Sequence, residues 1–248
     1  MNAWDIALVG VVSVMGTAVA YVRHPERKAL VLMFPVPFTL ATLALGRPVD
    51  ATNVLGLGLL FGFSVGVWIL RVRLRWPILV AIVTCAVGYC LIGAAIARLD
   101  LAGDAAFWAM AAAMLVAALM LVRVLPYRSE PHHRTPLPVW IKLPAIALII
   151  AVIVVIKKHL GGFMTTFPMV GVVAAYESRH SLWTIVRRIP WIMLTLTPFM
   201  AIVRLAQKHH DLPVALAIAW PFFLVLLWVL RKRFGGGQTE RESVHDNG

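Results

Sequence analysis

Nine apolar runs, each close to the length of a membrane span, constrain this chain more than any other feature. They lie near residues 4–22, 29–46, 51–70, 76–97, 105–122, 138–156, 160–177, 182–203 and 212–230. A hydrocarbon core about 30 Å thick is crossed by about 20 apolar residues of helix. Hydrocarbon offers backbone N–H and C=O groups no partner, so each run is expected to be helical. Composition points the same way: of 248 residues 61% are hydrophobic and 14% charged, and the mean hydropathy of +0.86 excludes a water-soluble domain. The pattern predicts an all-α polytopic membrane protein with about nine transmembrane helices. The first run is followed directly by others and lacks an A-x-A-like end, so it reads as a retained helix and not a cleaved signal peptide.

A formal net charge of +12 would point to nucleic acid in a soluble protein. In a chain of apolar spans the positive-inside rule accounts for it, and no nucleic-acid partner is expected. With the amino terminus outside, 17 of the 23 Lys and Arg fall inside, including Arg71, Arg73, Arg75, Arg187 and Arg188. Arg47, Arg98, Lys157, Lys158, Arg204 and Lys208 are left for the other side. The expected topology is N-out and C-in, with anionic lipid heads as partners of the inside surface. Cys85 and Cys90, five apart in one run, do not share a helix face and read as apolar filler.

Self-comparison finds one offset. A shift of 133 residues lays Phe34-Pro35 on Phe167-Pro168, Arg71 on Arg204 and Arg98 on Arg231 without a gap, and sets GVWILR (66–71) on FMAIVR (199–204). The chain then divides into a first four-helix repeat over 1–98, a linker helix and basic cytoplasmic loop over 99–137, a second four-helix repeat over 138–233, and a disordered polar tail over 234–248. The single linking helix inverts the second repeat. This predicts a 4+1+4 inverted-topology repeat with Pro-broken helices, an arrangement that encloses a site near the midplane.

The stretch GGFMTTFPMVGVVAAY (161–176) resembles the signature of the GlpM-type small bacterial membrane proteins, with Gly162 five residues before Phe167. KALVLMFPVPFTLATLALG (28–46) resembles it a second time, Ala29 standing at the glycine position. The family pattern has proline two residues before the Phe, where this chain has Leu32 and Thr165. The resemblance implies a fused duplication of a four-helix unit, located in the bacterial inner membrane, with a link to glycerol and exopolysaccharide metabolism. GGFMTTF (161–167) is also similar to the glycine and threonine helix break of small fluoride channels, which implies a small-ion channel as a further reading.

Proline lacks an N–H and clashes with the carbonyl four residues back. Pro35, Pro37 and Pro168 are therefore expected to free backbone carbonyls at membrane depth, which is tolerated only in a protein interior or beside a cavity. Charges are nearly absent from the spans, and Glu177, which ends the Phe-Pro run, is the acidic group nearest the apolar zone. The other span polar groups are neutral: Thr39, Thr42, Ser64, Thr84, Thr165, Thr166, Thr195 and Thr197. His132-His133 and His209-His210 lack companions at ligand spacing, so no metal is expected. No nucleotide-binding turn, cofactor motif or buried acid, base and nucleophile set is present, and no enzyme activity or cofactor is expected.

These features predict a transporter or permease for a small solute. Its binding residues are Phe34, Pro35, Pro37, Thr165, Thr166, Phe167, Pro168 and Glu177. The alternative is a membrane-embedded scaffold subunit for envelope polysaccharide or glycolipid metabolism, with a membrane protein as partner.

Overall fold

The computed structural model describes residues 3–21, 34–99, 101, 103–126, 144, 147–148, 150–152, 154–155 and 159–245, with backbone alone at 19–21 and 230–245. Among them there are helices and turns and no strand. The helices are α1 (Ala3–Tyr21), α2 (Val36–Leu45), α3 (Ala51–Trp68), α4 (Ile78–Ile96), α5 (Asp104–Val124), α6 (Met169–Glu177), α7 (Leu182–Ala206) and α8 (Leu212–His245). A π turn, Ile69–Arg73, extends α3, and a 3-10 segment, Gly161–Thr166, precedes α6. The described positions from 144 to 155 are helical. The predicted cytoplasmic loop with His132-His133, and the remainder of the predicted span at 138–156, lie outside the described residues.

Five segments are long and apolar enough to cross a membrane: Ala51–Arg73, Ile78–Ile96, Asp104–Val124, Leu182–Ala206 and Leu212–Val229. Their outer faces are apolar as well. Along α4, Leu79, Val83, Val87 and Leu91, one per turn, are each at least half exposed. A soluble monomer rarely shows such a stripe, whereas lipid solvates it. The chain is a helical membrane protein.

α3 is the central helix, packing against α4, α5, α7 and the 3-10 segment. Two apolar cores lie about it. One joins Leu8 and Val12 of α1, Ala41 and Ala44 of α2, Phe63 and Val67 of α3, and Phe163, Met164 and Phe167. The other joins Phe38, Val54 and Leu57 to Phe107, Phe199, Met200 and Phe223. α2 and α3 thus contribute one face to each.

The last helix runs to His245, where the sequence predicts a disordered tail from residue 234. Helix propagation adds one hydrogen bond per residue fixed, so Gln238 to Ser243 continue a helix already nucleated in the apolar run.

Prolines do not break helices uniformly. Pro190 and Pro198 lie inside α7, and Pro221 lies inside α8. Pro35 and Pro168 instead occupy the N-cap positions of α2 and α6, and Pro37 falls in the first turn of α2, where no N–H is required. The break before α6 owes as much to glycine. Gly161 has φ +54°, a left-handed conformation that glycine adopts without steric penalty.

Candidate functional site

The site is a helix break held by side chains from two other helices. Its foundation is the first turn of α3. Asp50 has an extended backbone and caps this helix, its carboxylate accepting from Thr52 N at 2.8 Å and from the Thr52 hydroxyl. Asn53 closes the reciprocal half of the capping box, its Oδ1 accepting from Asp50 N at 2.8 Å. With Oδ1 so occupied, the Asn53 amide nitrogen points away from the cap and into the protein.

Its target is the 3-10 segment, all six residues of which are buried. Asn53 Nδ2 donates to Thr165 Oγ1 at 2.8 Å and to Gly162 O at 3.4 Å. Thr165 Oγ1 in turn donates to Gly162 O at 2.7 Å. Gly162 N donates to Thr52 Oγ1 at 3.1 Å, and that hydroxyl passes its own proton toward Asp50. The Asp50 carboxylate therefore polarises a chain ending at the Gly162 amide.

The other end of the segment is held by α4. The Tyr89 hydroxyl donates to Phe163 O at 2.8 Å and lies 3.0 Å from Thr166 Oγ1. The Tyr89 ring also meets Phe167 edge to face, with centroids 5.2 Å apart. The break thus lies beside the first turns of α3 and the last turns of α4, with its carbonyls shared between protein groups. Gly162 O and Phe163 O both have side-chain donors, Met164 O, four residues before Pro168, accepts from Phe167 N at 3.2 Å, and the carbonyls four residues before Pro35 and Pro37 lie outside the described residues.

Close approach sets the glycines. A Cβ at Gly162 would collide with Thr52 Oγ1 and come within 2.8 Å of the Asn53 backbone nitrogen. A Cβ at Gly56 would collide with Thr166 Oγ1. Of the Gly58, Gly62 and Gly66 stripe, only Gly66 lies tight against a neighbour, with Cys85 Sγ 2.9 Å from its Cβ position, while Gly62 faces open space.

The predicted residues divide into groups. Thr165, Thr166, Phe167 and Pro168 are buried together at the break. Pro35 and Pro37 start α2, which packs against the 3-10 segment. Phe34 belongs to another ring cluster, 6.4 Å from both Trp220 and Phe223. Glu177 is buried and partnered, but at the far end of α6, about 12 Å along the axis from Met169. Thr52, Asn53 and Tyr89 are the residues that reading the sequence missed. Among the described residues no group of three His, Cys, Asp or Glu could hold a metal ion.

A second polar cluster adjoins the cap of α3. Arg204 donates from Nε and Nη2 to Asp104 Oδ1 at 3.0 and 2.8 Å, and from Nη1 to Val49 O at 2.8 Å. Lys208 reaches Asp104 Oδ2 at 3.0 Å, and Gln207 accepts from Val49 N at 3.2 Å. These bonds tie the end of α7 to the start of α5 and to the turn before α3.

No protein family, curated protein or solved structure matches the chain.

Proposed function

We propose that the chain is a membrane permease that moves a small solute by alternating access, with its path at the Phe-Pro segments. The observation that carries this reading is the buried stretch Gly161–Pro168, a 3-10 segment and a Phe-Pro turn that interrupt α-helix, packed against α2 and held by side chains of α3 and α4. Irregular backbone at membrane depth is kept where it lines a path or forms a joint, and discontinuous helices are the usual binding elements of transporters. Hydroxyl and amide contacts suit a joint because they can be exchanged at small net cost.

Nine spans in a 4+1+4 inverted repeat, oriented N-out and C-in in a bacterial inner membrane, fit the same reading. Displacing Val36, Ala51 and Ile78 by 133 residues gives 169, 184 and 211, and helices start at Met169, Leu182 and Leu212. α2 and α6 each begin at a proline N-cap, where backbone amides carry partial positive charge. With no acidic or basic side chain in the Gly161–Pro168 network other than Asp50, the solute is neutral, amphipathic or a small anion held by helix ends.

The test is uptake into proteoliposomes of a panel of glycerol, small amphipathic solutes and halides, comparing the wild type with Pro35→Ala plus Pro168→Ala. Uptake of one class that the double variant loses is expected. Full retention by that variant would sink the mechanism. A chain that moves none of the panel and co-purifies with a stoichiometric membrane partner would favour the scaffold reading.

A further inference from the structure

We propose that the turn Arg71–Trp76 docks the phosphate of an anionic phospholipid. The turn joins α3 to α4, two helices able to cross a membrane, so it sits where a span emerges at headgroup depth. Its sequence, RVRLRW, sets Arg71, Arg73 and Arg75 among Val72, Leu74 and Trp76, and no Asp or Glu occurs from residue 51 to residue 99.

The contacts these arginines make leave their charge intact. Arg71 Nη1 donates to the Trp76 carbonyl at 3.1 Å, and the Arg73 guanidinium lies over the Trp68 ring at 5.6 Å. Trp68 is in turn braced by Trp183, with centroids 5.0 Å apart. A carbonyl and a ring face orient a guanidinium without neutralising it, and the remaining N–H groups suit phosphate oxygens.

The backbone is shaped to present them. α3 ends in the π turn Ile69–Arg73, and Arg75 is left-handed at φ 59°, the one non-glycine residue with positive φ among those described. Such a conformation is held against its intrinsic cost and concentrates at ligand sites. Val72, Leu74 and Trp76 are all exposed beside the arginines. Free phosphate would use the guanidinium groups alone, whereas a lipid also meets these apolar side chains, with tryptophan at the interfacial depth it favours. The lipid site does not depend on the transport reading.

The experiment is native mass spectrometry of the full chain in neutral detergent with phosphatidylglycerol or phosphatidylcholine. The wild type is expected to retain phosphatidylglycerol in preference. Arg75→Gly suits the left-handed turn, so it should elute and melt like the wild type yet bind phosphatidylglycerol about fivefold more weakly, and replacing all three arginines by alanine should weaken it about a hundredfold. Wild-type retention by Arg75→Gly and by the triple variant would overturn the site. So would equal retention of the two lipids by the wild type. Displacement of the lipid by an equimolar concentration of inorganic phosphate would overturn the lipid assignment.

Discussion

Asn53 Nδ2 and Thr165 Oγ1 are 2.8 Å apart across 112 positions of sequence, and this bond joins the cap of one membrane helix to the 3-10 segment that precedes α6. Both atoms are buried, so neither finds water when its partner is lost. Asn53→Ala is expected to lower stability by about 1–2 kcal/mol. Thermal unfolding in detergent should also show that Thr165→Val costs less in the Asn53→Ala background than alone, since the two share one interaction. Strictly additive losses would mean the bond contributes nothing.

Tyr89 separates packing from hydrogen bonding. Tyr89→Phe keeps the edge-to-face contact with Phe167 and deletes the donor to Phe163 O. A loss of about 1 kcal/mol is expected, since Phe163 O then keeps only the longer side-chain bond from Thr166 Oγ1 at 3.4 Å, and Tyr89→Leu should lose more because the ring contact goes too. Equal melting of wild type and Tyr89→Phe would contradict the assignment.

Three glycines give a graded series. Gly162→Ala should be the most damaging, because the Asn53 backbone cannot step aside. Gly56→Ala meets the Thr166 hydroxyl, which can rotate only by giving up Tyr89. Gly62→Ala meets nothing and should be neutral or stabilising by up to about 1 kcal/mol, since alanine favours helix. Expression level and melting temperature should follow that order.

The Arg204 clamp predicts an asymmetry between its two cations. Arg204 gives two hydrogen bonds to Asp104 Oδ1, bonds Val49 O and lies over the Phe107 ring at 5.7 Å, whereas Lys208 makes a single exposed contact. Arg204→Lys should therefore lower the melting temperature more than Lys208→Ala, which should be close to silent. Raising salt should narrow the gap only slightly, because the Val49 bond and the ring contact are not ion pairs.

Much of the helical layout was legible in the apolar runs, whose length is dictated by the bilayer. The break at Gly161–Pro168 was legible too, because Gly161-Gly162 and Phe167-Pro168 interrupt an otherwise continuous run. What held the break was not. Asn53 and Tyr89 are single polar residues in separate apolar spans, and nothing in their spacing ties them to residue 165. Asp50-x-x-Asn53 before an apolar run was a usable signal for a helix start, although it says nothing of where the spare amide of Asn53 goes. Proline alone does not mark a break. Pro190, Pro198 and Pro221 carry the same local penalty as Pro168 but sit within continuous helices.

The side chains from outside the segment that hold Gly161–Pro168, those of Thr52, Asn53 and Tyr89, all belong to residues made more than 70 positions earlier. A ribosome delivering this segment to the membrane hands over backbone that lipid cannot satisfy, and rescue is available only if α3 and α4 are already in place beside the translocon. Order of synthesis is thus part of how the protein acquires its shape. A fragment beginning at residue 138 should be cleared by proteases when expressed alone and persist when residues 1–137 are supplied from a second gene.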